Sequence, residues 1–390
     1  MIVAGVMSGT SADGIDVALV RISGDLRSLR LKLLSHEHFA YPARVREAVL
    51  AAMDANAASV ADLARLNVFL GELYADAVAT TMRRQRTRVD LVGCHGQTLY
   101  HQGDPVPFLG RPIATTWQTG EGSVISQRLQ IPVISDFRPA DMAAGGKGAP
   151  LVPLLDIAFY AHARRLRVLQ NIGGIANLTL IPPGQHLGDA RKVIALDTGP
   201  GNMVIDACAQ KLFGKSYDRN GSFATKGKVI DAVLARTLAH PFFRRKPPKT
   251  AGREEFGREF VSQFLASCGD ASKHDVMATT TALTASSIAT GLKQALRMAR
   301  ISIPISGSGA DYVVSGGGVA NKTLMRMISA QVEPLGFRVL SSDILGMPSQ
   351  AKEAAAFALL AYQTWNRQAG NVPTATGAKR PAVLGKISYA

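Results

Sequence analysis

Apolar and polar positions fall into two rhythms along the chain. Residues 2–6 form a short apolar run, a turn rich in glycine, serine and threonine follows, and residues 15–22 are apolar again, which predicts a β-hairpin. Apolar residues recur at helical spacing over 43–53 and 59–81. Residues 89–94 read as a buried strand ending in a polar turn, 122–130 as a helix and 133–135 as a strand. A second hairpin-like unit follows a glycine- and proline-rich stretch at 145–153: residues 167–171, a Gly173-Gly174 turn, then 176–181. Beyond it, strands are predicted at 193–196 and 312–315, and helices at 201–212, 278–298, 321–332 and 351–365, with a loop-rich segment from 368. Strands alternate with helices throughout, so the class is α/β. The two strand–glycine turn–strand units, at 2–22 and 167–181, each open one half of the chain, a weak internal duplication.

Length adds a domain count. The chain has 390 residues, which suits two domains. The boundary is expected near the 145–153 stretch: a first domain over 1–140, a second over 141–360, and the segment 361–390 packing back on the first. Three widely spaced cysteines, Cys94, Cys208 and Cys268, support neither a disulfide framework nor a zinc site, and fit a reducing compartment. The N-terminal apolar run lacks a basic segment before it and reads as a first strand rather than a signal peptide. No stretch of about 18 apolar residues suggests a membrane span. A cytoplasmic location is the expectation. The net charge of +15 raises a nucleic-acid partner as a rival. Aromatics make up only 6% and do not interleave with the basic clusters, so a surface that attracts anionic substrates is the better reading.

Candidate chemistry sits in the glycine loops. Residues 7–14 read MSGTSADG, where glycines let backbone amides approach an anion, and Ser11 and Thr10 add donors. Asp13 is placed to hold Mg²⁺ directly or through water. The same string also suits an ordinary hairpin turn. NIGGIAN (171–177) and SGGGVAN (315–321) repeat the theme at strand ends. No Walker A or Rossmann fingerprint is present, so a nucleotide would lie between two domains rather than on a P-loop. In LDTGPGN (196–202), Asp197 stands at a strand end before a helix, as a base kept ionised by the helix N-terminus or as a simple N-cap. His95, Gln97 and Thr98 are candidates for hydrogen bonds to a sugar, and Arg138 for pairing with a carboxylate. Each also reads as part of a loop network or an ion pair.

Several long strings coincide: GVMSGTSADGIDVALV (5–20), GCHGQT (93–98), SDFRPADMAAGGKGAPLVP (135–153), NIGGIANLT (171–179), DTGPGN (197–202), YDRNG (217–221), KTAGREEF (249–256), SGGGVAN (315–321), AKEAAAFALLA (351–361) and NVPTATGA (371–378). Together they resemble the anhydro-N-acetylmuramic acid kinases, over nearly the whole chain. The resemblance implies the fold of the sugar kinase, acetate kinase, hsp70 and actin superfamily: two ribonuclease-H-like domains around a cleft holding ATP and Mg²⁺. It implies 1,6-anhydro-N-acetylmuramic acid as substrate, N-acetylmuramic acid 6-phosphate as product, a place in peptidoglycan recycling, and a homodimer. It puts the catalytic aspartate on Asp197 and the first phosphate loop on Gly9, Thr10, Ser11 and Asp13. The second phosphate loop falls on Gly173 and Gly174, the nucleoside loop on Gly316, Gly317 and Gly318. The sugar-binding positions fall on His95, Gln97, Thr98 and Arg138, the last holding the lactyl carboxylate. Glu353 matches a glutamate of the family without an assigned role. Lys147 departs from the glutamine expected in the GGxGAP string. The rivals are a kinase of the same fold acting on another sugar hydroxyl, and a nucleic-acid protein.

Overall fold

The computed structural model describes residues 1–390 except 10, 27, 56, 247, 248, 250 and 303–308, with the backbone alone at 253 and 254. The chain divides into two compact units. One comprises Met1–Tyr160, His186–Arg191 and Gln350–Ala390, the other Ala161–Gln185 and Lys192–Ser349.

In the first unit, β1 (Ile2–Ser8), β2 (Gly14–Ser23), β3 (Arg30–Ala40), β4 (Leu91–Phe108) and β6 (Val133–Ser135) form a sheet in the order β6-β4-β1-β2-β3, and β5 (Arg111–Thr119) pairs with β4. β1 and β2, and β2 and β3, run antiparallel, while β1/β4 and β4/β6 are parallel. In the second unit, β7 (Leu166–Ile172), β8 (Ile175–Ile181), β9 (Ile194–Pro200), β10 (Ala310–Ser315) and β11 (Arg338–Ser341) take the order β11-β10-β7-β8-β9. β7/β8 and β8/β9 are antiparallel, and β10 is parallel to both β7 and β11. Both sheets therefore share the ribonuclease-H-like sequence of a three-strand meander followed by two parallel strands. The weak duplication in sequence is a full correspondence in topology. A further strand, β12 (Lys386–Ser388), extends the first sheet antiparallel to β6.

Two glycines explain how the first unit is covered. A Cβ at Gly5 on β1 would lie 1.8 Å from the Ala354 carbonyl oxygen, and one at Gly93 on β4 would lie 2.2 Å from that of Phe357. The helix Lys352–Trp365 thus rests directly on the sheet backbone, and its Ala354-Ala355-Ala356 run keeps that approach open. The opposite face packs the helix Val60–Gln85, whose Leu70, Tyr74 and Val78 are fully buried. In the second unit the helix Lys273–Ala299 is buried along most of its length, and its first turn is capped by the Ser272 hydroxyl accepting from the Asp275 amide at 3.1 Å.

Three expectations change. β4 continues to Phe108 rather than stopping at residue 94, and with β5 makes an exposed arm. Gly103, Pro105 and Pro107 mimic a turn there, but the ladder absorbs them through a register shift between Gln102 and Val106. β3 was not foreseen, because RLKLLSHEHFA is half-buried along its length and lacks a clean alternation. The units divide at 160/161 and 349/350, not at 140/141 and 360/361. The helix Pro153–Tyr160 and the start of the helix Lys352–Trp365 belong with the first sheet, joined by the buried Lys352–Asp156 ion pair at 2.7 Å.

Candidate active site

The β1–β2 turn carries the first glycine loop. Ser8 closes β1 and is buried, with its hydroxyl within 2.7 Å of Gln97 Oε1, 2.9 Å of the Tyr41 hydroxyl and 3.0 Å of the Gly14 carbonyl. Gln97 Nε2 donates to the Gly9 carbonyl at 3.1 Å. Gln97 is fully buried and so braces the loop from behind rather than facing outward toward a sugar. Ala12 takes φ +50°, and its amide donates to the Gly9 carbonyl at 3.1 Å. Ser11 and Asp13 are exposed, with the Ser11 hydroxyl donating to Asp13 Oδ1 at 2.8 Å. A Cβ at Gly9 would meet nothing nearer than Ser11 Oγ at 3.6 Å, so the loop presents an open backbone. Thr10 lies outside the described residues.

His95 and Arg138 come together. His95 Nδ1 lies 2.7 Å from the Gly96 carbonyl, to which it donates, so Nε2 accepts from Arg138 Nε at 3.1 Å and Nη2 at 2.9 Å. Burial, then the charge of Arg138, holds the imidazole well below its ordinary 6.5, which suits this neutral tautomer. With both nitrogens committed, His95 orients the arginine instead of meeting a ligand. Arg138 Nη1 also donates to the Gly148 carbonyl at 2.8 Å, leaving one N–H on each Nη without a partner among the described residues. Burial pushes its guanidinium down to about 10, against the pull of Glu353 and Asp141. Glu353 is exposed, so the upward push of surrounding protein on its carboxyl counts for little, and Arg138 opposes it. Thr98 Oγ1 accepts from Gln118 Nε2 at 3.2 Å.

Below Arg138, Asp141 ties two of the long strings together. It is fully buried and accepts from the Gly148 amide at 2.8 Å, Asn371 Nδ2 at 2.7 Å and the Thr376 hydroxyl at 2.8 Å. Lys147 reaches the β4–β5 arm, pairing with Asp104 at 2.8 Å, which accounts for a cation at this position.

In the second unit, three loops form one cluster. The carbonyls of Gly173 and Gly174 accept from the amides of Gly201, Asn202 and Met203, at 2.8–3.1 Å, and so occupy the first turn of the helix Asn202–Phe213. A Cβ on Gly201 would lie 2.3 Å from the Gly173 oxygen. Gly316, at φ +88°, would bring a Cβ to 2.6 Å from the Ile172 oxygen, and Gly318 would drive one into Ile172 Cγ2 at 2.3 Å. A Cβ at Gly173, Gly174 or Gly317 would meet only ordinary van der Waals contacts, the nearest at 3.6, 3.6 and 3.8 Å. The helix Lys322–Val332 is capped by the Asn321 side chain, which accepts from the Leu324 amide at 3.0 Å.

Asp197 lies on β9 beside Asn177 of β8. It is not the N-cap of the following helix, a position held by Gly201. Its amide donates to the Lys249 carbonyl at 3.1 Å, and its Oδ2 accepts from the Ala251 amide at 2.8 Å. Lys249 and Ala251 thus both meet Asp197 through main-chain atoms, and the Ala251 amide is a donor that orients its carboxylate. Lys249 was missed as a participant; its place in KTAGREEF was the available signal.

The anhydro-N-acetylmuramic acid kinase family model matches residues 1–390. The chain belongs to the anhydro-N-acetylmuramic acid kinase family. Curated members include one from Bacillus cereus (strain AH187), 43% identical over 392 residues, covering 100% of this chain and 99% of its own. Another, from Caldanaerobacter subterraneus subsp. tengcongensis, is 41% identical over 398 residues, covering 99% and 96%. Among solved structures, a ROK family glucokinase from Streptomyces griseus in complex with glucose and AMPPNP is 13% identical, with a TM-score of 0.38 over 93% of this chain and 100% of that one. At that level the anhydro-N-acetylmuramic acid kinase assignment draws nothing from it. Among the described residues no helix is long and apolar enough to cross a membrane.

Proposed function

We propose that this chain is an ATP-dependent kinase that opens 1,6-anhydro-N-acetylmuramic acid and phosphorylates its O6. The product is N-acetylmuramic acid 6-phosphate, in the recycling of cell-wall peptidoglycan. The observation that carries the reading is Asp197: one strand-borne carboxylate, oriented by the Ala251 amide, in a unit that also carries the Gly173–Gly174 and Gly316–Gly318 loops. Full-length membership of the family supports the choice of sugar.

An anhydro sugar has no free hydroxyl at O6, so phosphorylation must break the C1–O6 bond. Asp197 takes a proton from water, and the water oxygen bonds to the anomeric carbon as O6 leaves it. O6 then bonds to the γ-phosphorus of ATP, and ADP departs. The phosphoryl group fills the place of the general acid in an inverting glycosidase, so a single carboxylate suffices. Backbone amides of the glycine loops are the proposed donors to the phosphate oxygens. Arg138, with its two remaining N–H groups, suits the lactyl carboxylate, oriented by His95.

Asp13 is the proposed Mg²⁺ ligand. No group of three or more His, Cys, Asp or Glu that could hold a metal occurs among the described residues. Mg²⁺ ordinarily uses one or two carboxylates with phosphates and water, so a single exposed aspartate fits it. The ion, when bound, neutralises charge on the phosphates. A homodimer and a cytoplasmic location complete the proposal; sedimentation of the purified chain tests the first.

The deciding experiment is incubation with ATP, Mg²⁺ and 1,6-anhydro-N-acetylmuramic acid in ¹⁸O-labelled water, read by mass spectrometry. A 6-phosphorylated product with one solvent oxygen at the anomeric carbon is expected. No product, or product without solvent oxygen, overturns the reading.

A further inference from the structure

Lys249 opens the KTAGREEF string, and no role attaches to it in the sequence. Its side chain is 5% exposed. The ammonium donates to the Phe242 carbonyl at 3.4 Å and lies 4.6 Å from the centroid of the Phe242 ring. Its backbone carbonyl accepts from the Asp197 amide at 3.1 Å, and two residues later the Ala251 amide donates to Asp197 Oδ2 at 2.8 Å. Lys249 and Ala251 therefore both reach Asp197 through main-chain atoms, and Lys249 also carries a buried ammonium.

A lysine needed only for the Phe242 carbonyl would ordinarily leave its ammonium in water and lay its stem along the surface. A buried cation calls for an anion facing it. Burial pushes this ammonium down to about 8, the charge of Asp197 pulls it back up, and Arg245 pushes it down again. Arg245 is itself held by Glu255 at 2.8 Å, and Glu255 also faces His240 at 3.6 Å. Among the described residues the charged and titratable groups on this side are Asp197, Arg245 and, through Arg245, Glu255 and His240, and Asp197 is the one that the main chain of Lys249 also meets.

We infer that Lys249 is a positioning residue for Asp197: its segment fixes the carboxylate's orientation, and its ammonium holds that carboxylate ionised for proton abstraction. The inference rests on the reading of Asp197 as the base.

The test is the pH profile of kcat/KM for the anhydro sugar. Its acid limb reports the essential base of the free enzyme. Lys249→Met keeps the length and places an apolar chain against the Phe242 ring while removing the charge. Loss of a neighbouring opposite charge raises a carboxyl, so the acid limb moves up by about 1 pH unit. Lys249→Arg keeps the charge and leaves the limb where the unaltered chain has it. Titration of the ATP phosphates is common to all variants and cancels in the comparison.

An acid limb unmoved in Lys249→Met overturns the inference, as does an Arg variant whose limb moves as far as that of Met. Lys249→Gln repeats the test should the Met variant not fold. Failure of both neutral variants to fold makes the lysine a stability element and also overturns the inference. Near-normal turnover in Asp197→Asn sinks the base reading itself, whichever way the lysine variants behave.

Discussion

His95 accepts two hydrogen bonds from Arg138 through a single nitrogen, at 3.1 and 2.9 Å, while its other nitrogen donates to Gly96. This makes a neutral histidine part of the support of a cation, and it has a consequence for stability against pH. The folded imidazole sits well below its ordinary 6.5, first through burial and then through Arg138. The unfolded chain therefore binds the proton more readily. The contribution is full above about 6.5 and is lost as pH falls below it. Thermal melts between pH 7.5 and 5.5, about the range of histidine titration, are expected to show a falling Tm. His95→Gln, which keeps an acceptor for Arg138, should flatten that slope.

Asp197→Asn retains an oxygen for the Ala251 amide but cannot take a proton. A loss of about 10²–10⁴-fold in kcat is expected. ATP affinity, measured by calorimetry, should be unchanged.

Asp141 supports the Arg138 region from within the protein interior. Asp141→Ala leaves the Gly148 amide, Asn371 and Thr376 as buried donors without their acceptor. The expected cost is about 3 kcal/mol or more. Asn371→Ala, which removes one donor, should cost about 1–2 kcal/mol. Denaturant unfolding measures both.

Gly316→Ala forces a side chain into a backbone at φ +88° and toward the Ile172 oxygen 2.6 Å away. The loop must shift to accept it. KM for ATP is expected to rise about tenfold, in line with one strained residue. KM for the sugar should stay as it was, and steady-state kinetics with each substrate varied in turn separates the two.

Much of the fold was legible because its signals are local. The hairpin around 8–14, the helices Ala43–Met53 and Lys352–Trp365, and the β7–β8 turn all carry their own periodicity and turn residues. The β4–β5 arm was not, since glycine and proline inside it imitate a loop and only cross-strand pairing overrides them. The division into units was hidden for another reason. It depends on the helix Lys352–Trp365 crossing back to Gly5 and Gly93, a contact over more than half the chain. At the site, the polar character of these positions is a local property of the chain, but the direction each side chain takes is not. Gln97 turns inward to Gly9, and both nitrogens of His95 are spent inside the protein, because burial of a polar group demands partners wherever they lie. The KTAGREEF string marks Lys249 but not its tie to Asp197, which joins segments about fifty residues apart.

The return of the helix Lys352–Trp365 to the first sheet also sets an order in time. A ribosome delivers Met1–Tyr160 first, then all of the second unit, and only afterwards the helix that covers β1, β2 and β4. Until then the floor formed by Gly5 and Gly93 stands bare, while Ala161–Gln185 and Lys192–Ser349 together already hold all the strands of their own sheet. The half that is made first is therefore the half that finishes last, and during synthesis its uncovered strands are the part of this molecule most in need of shelter.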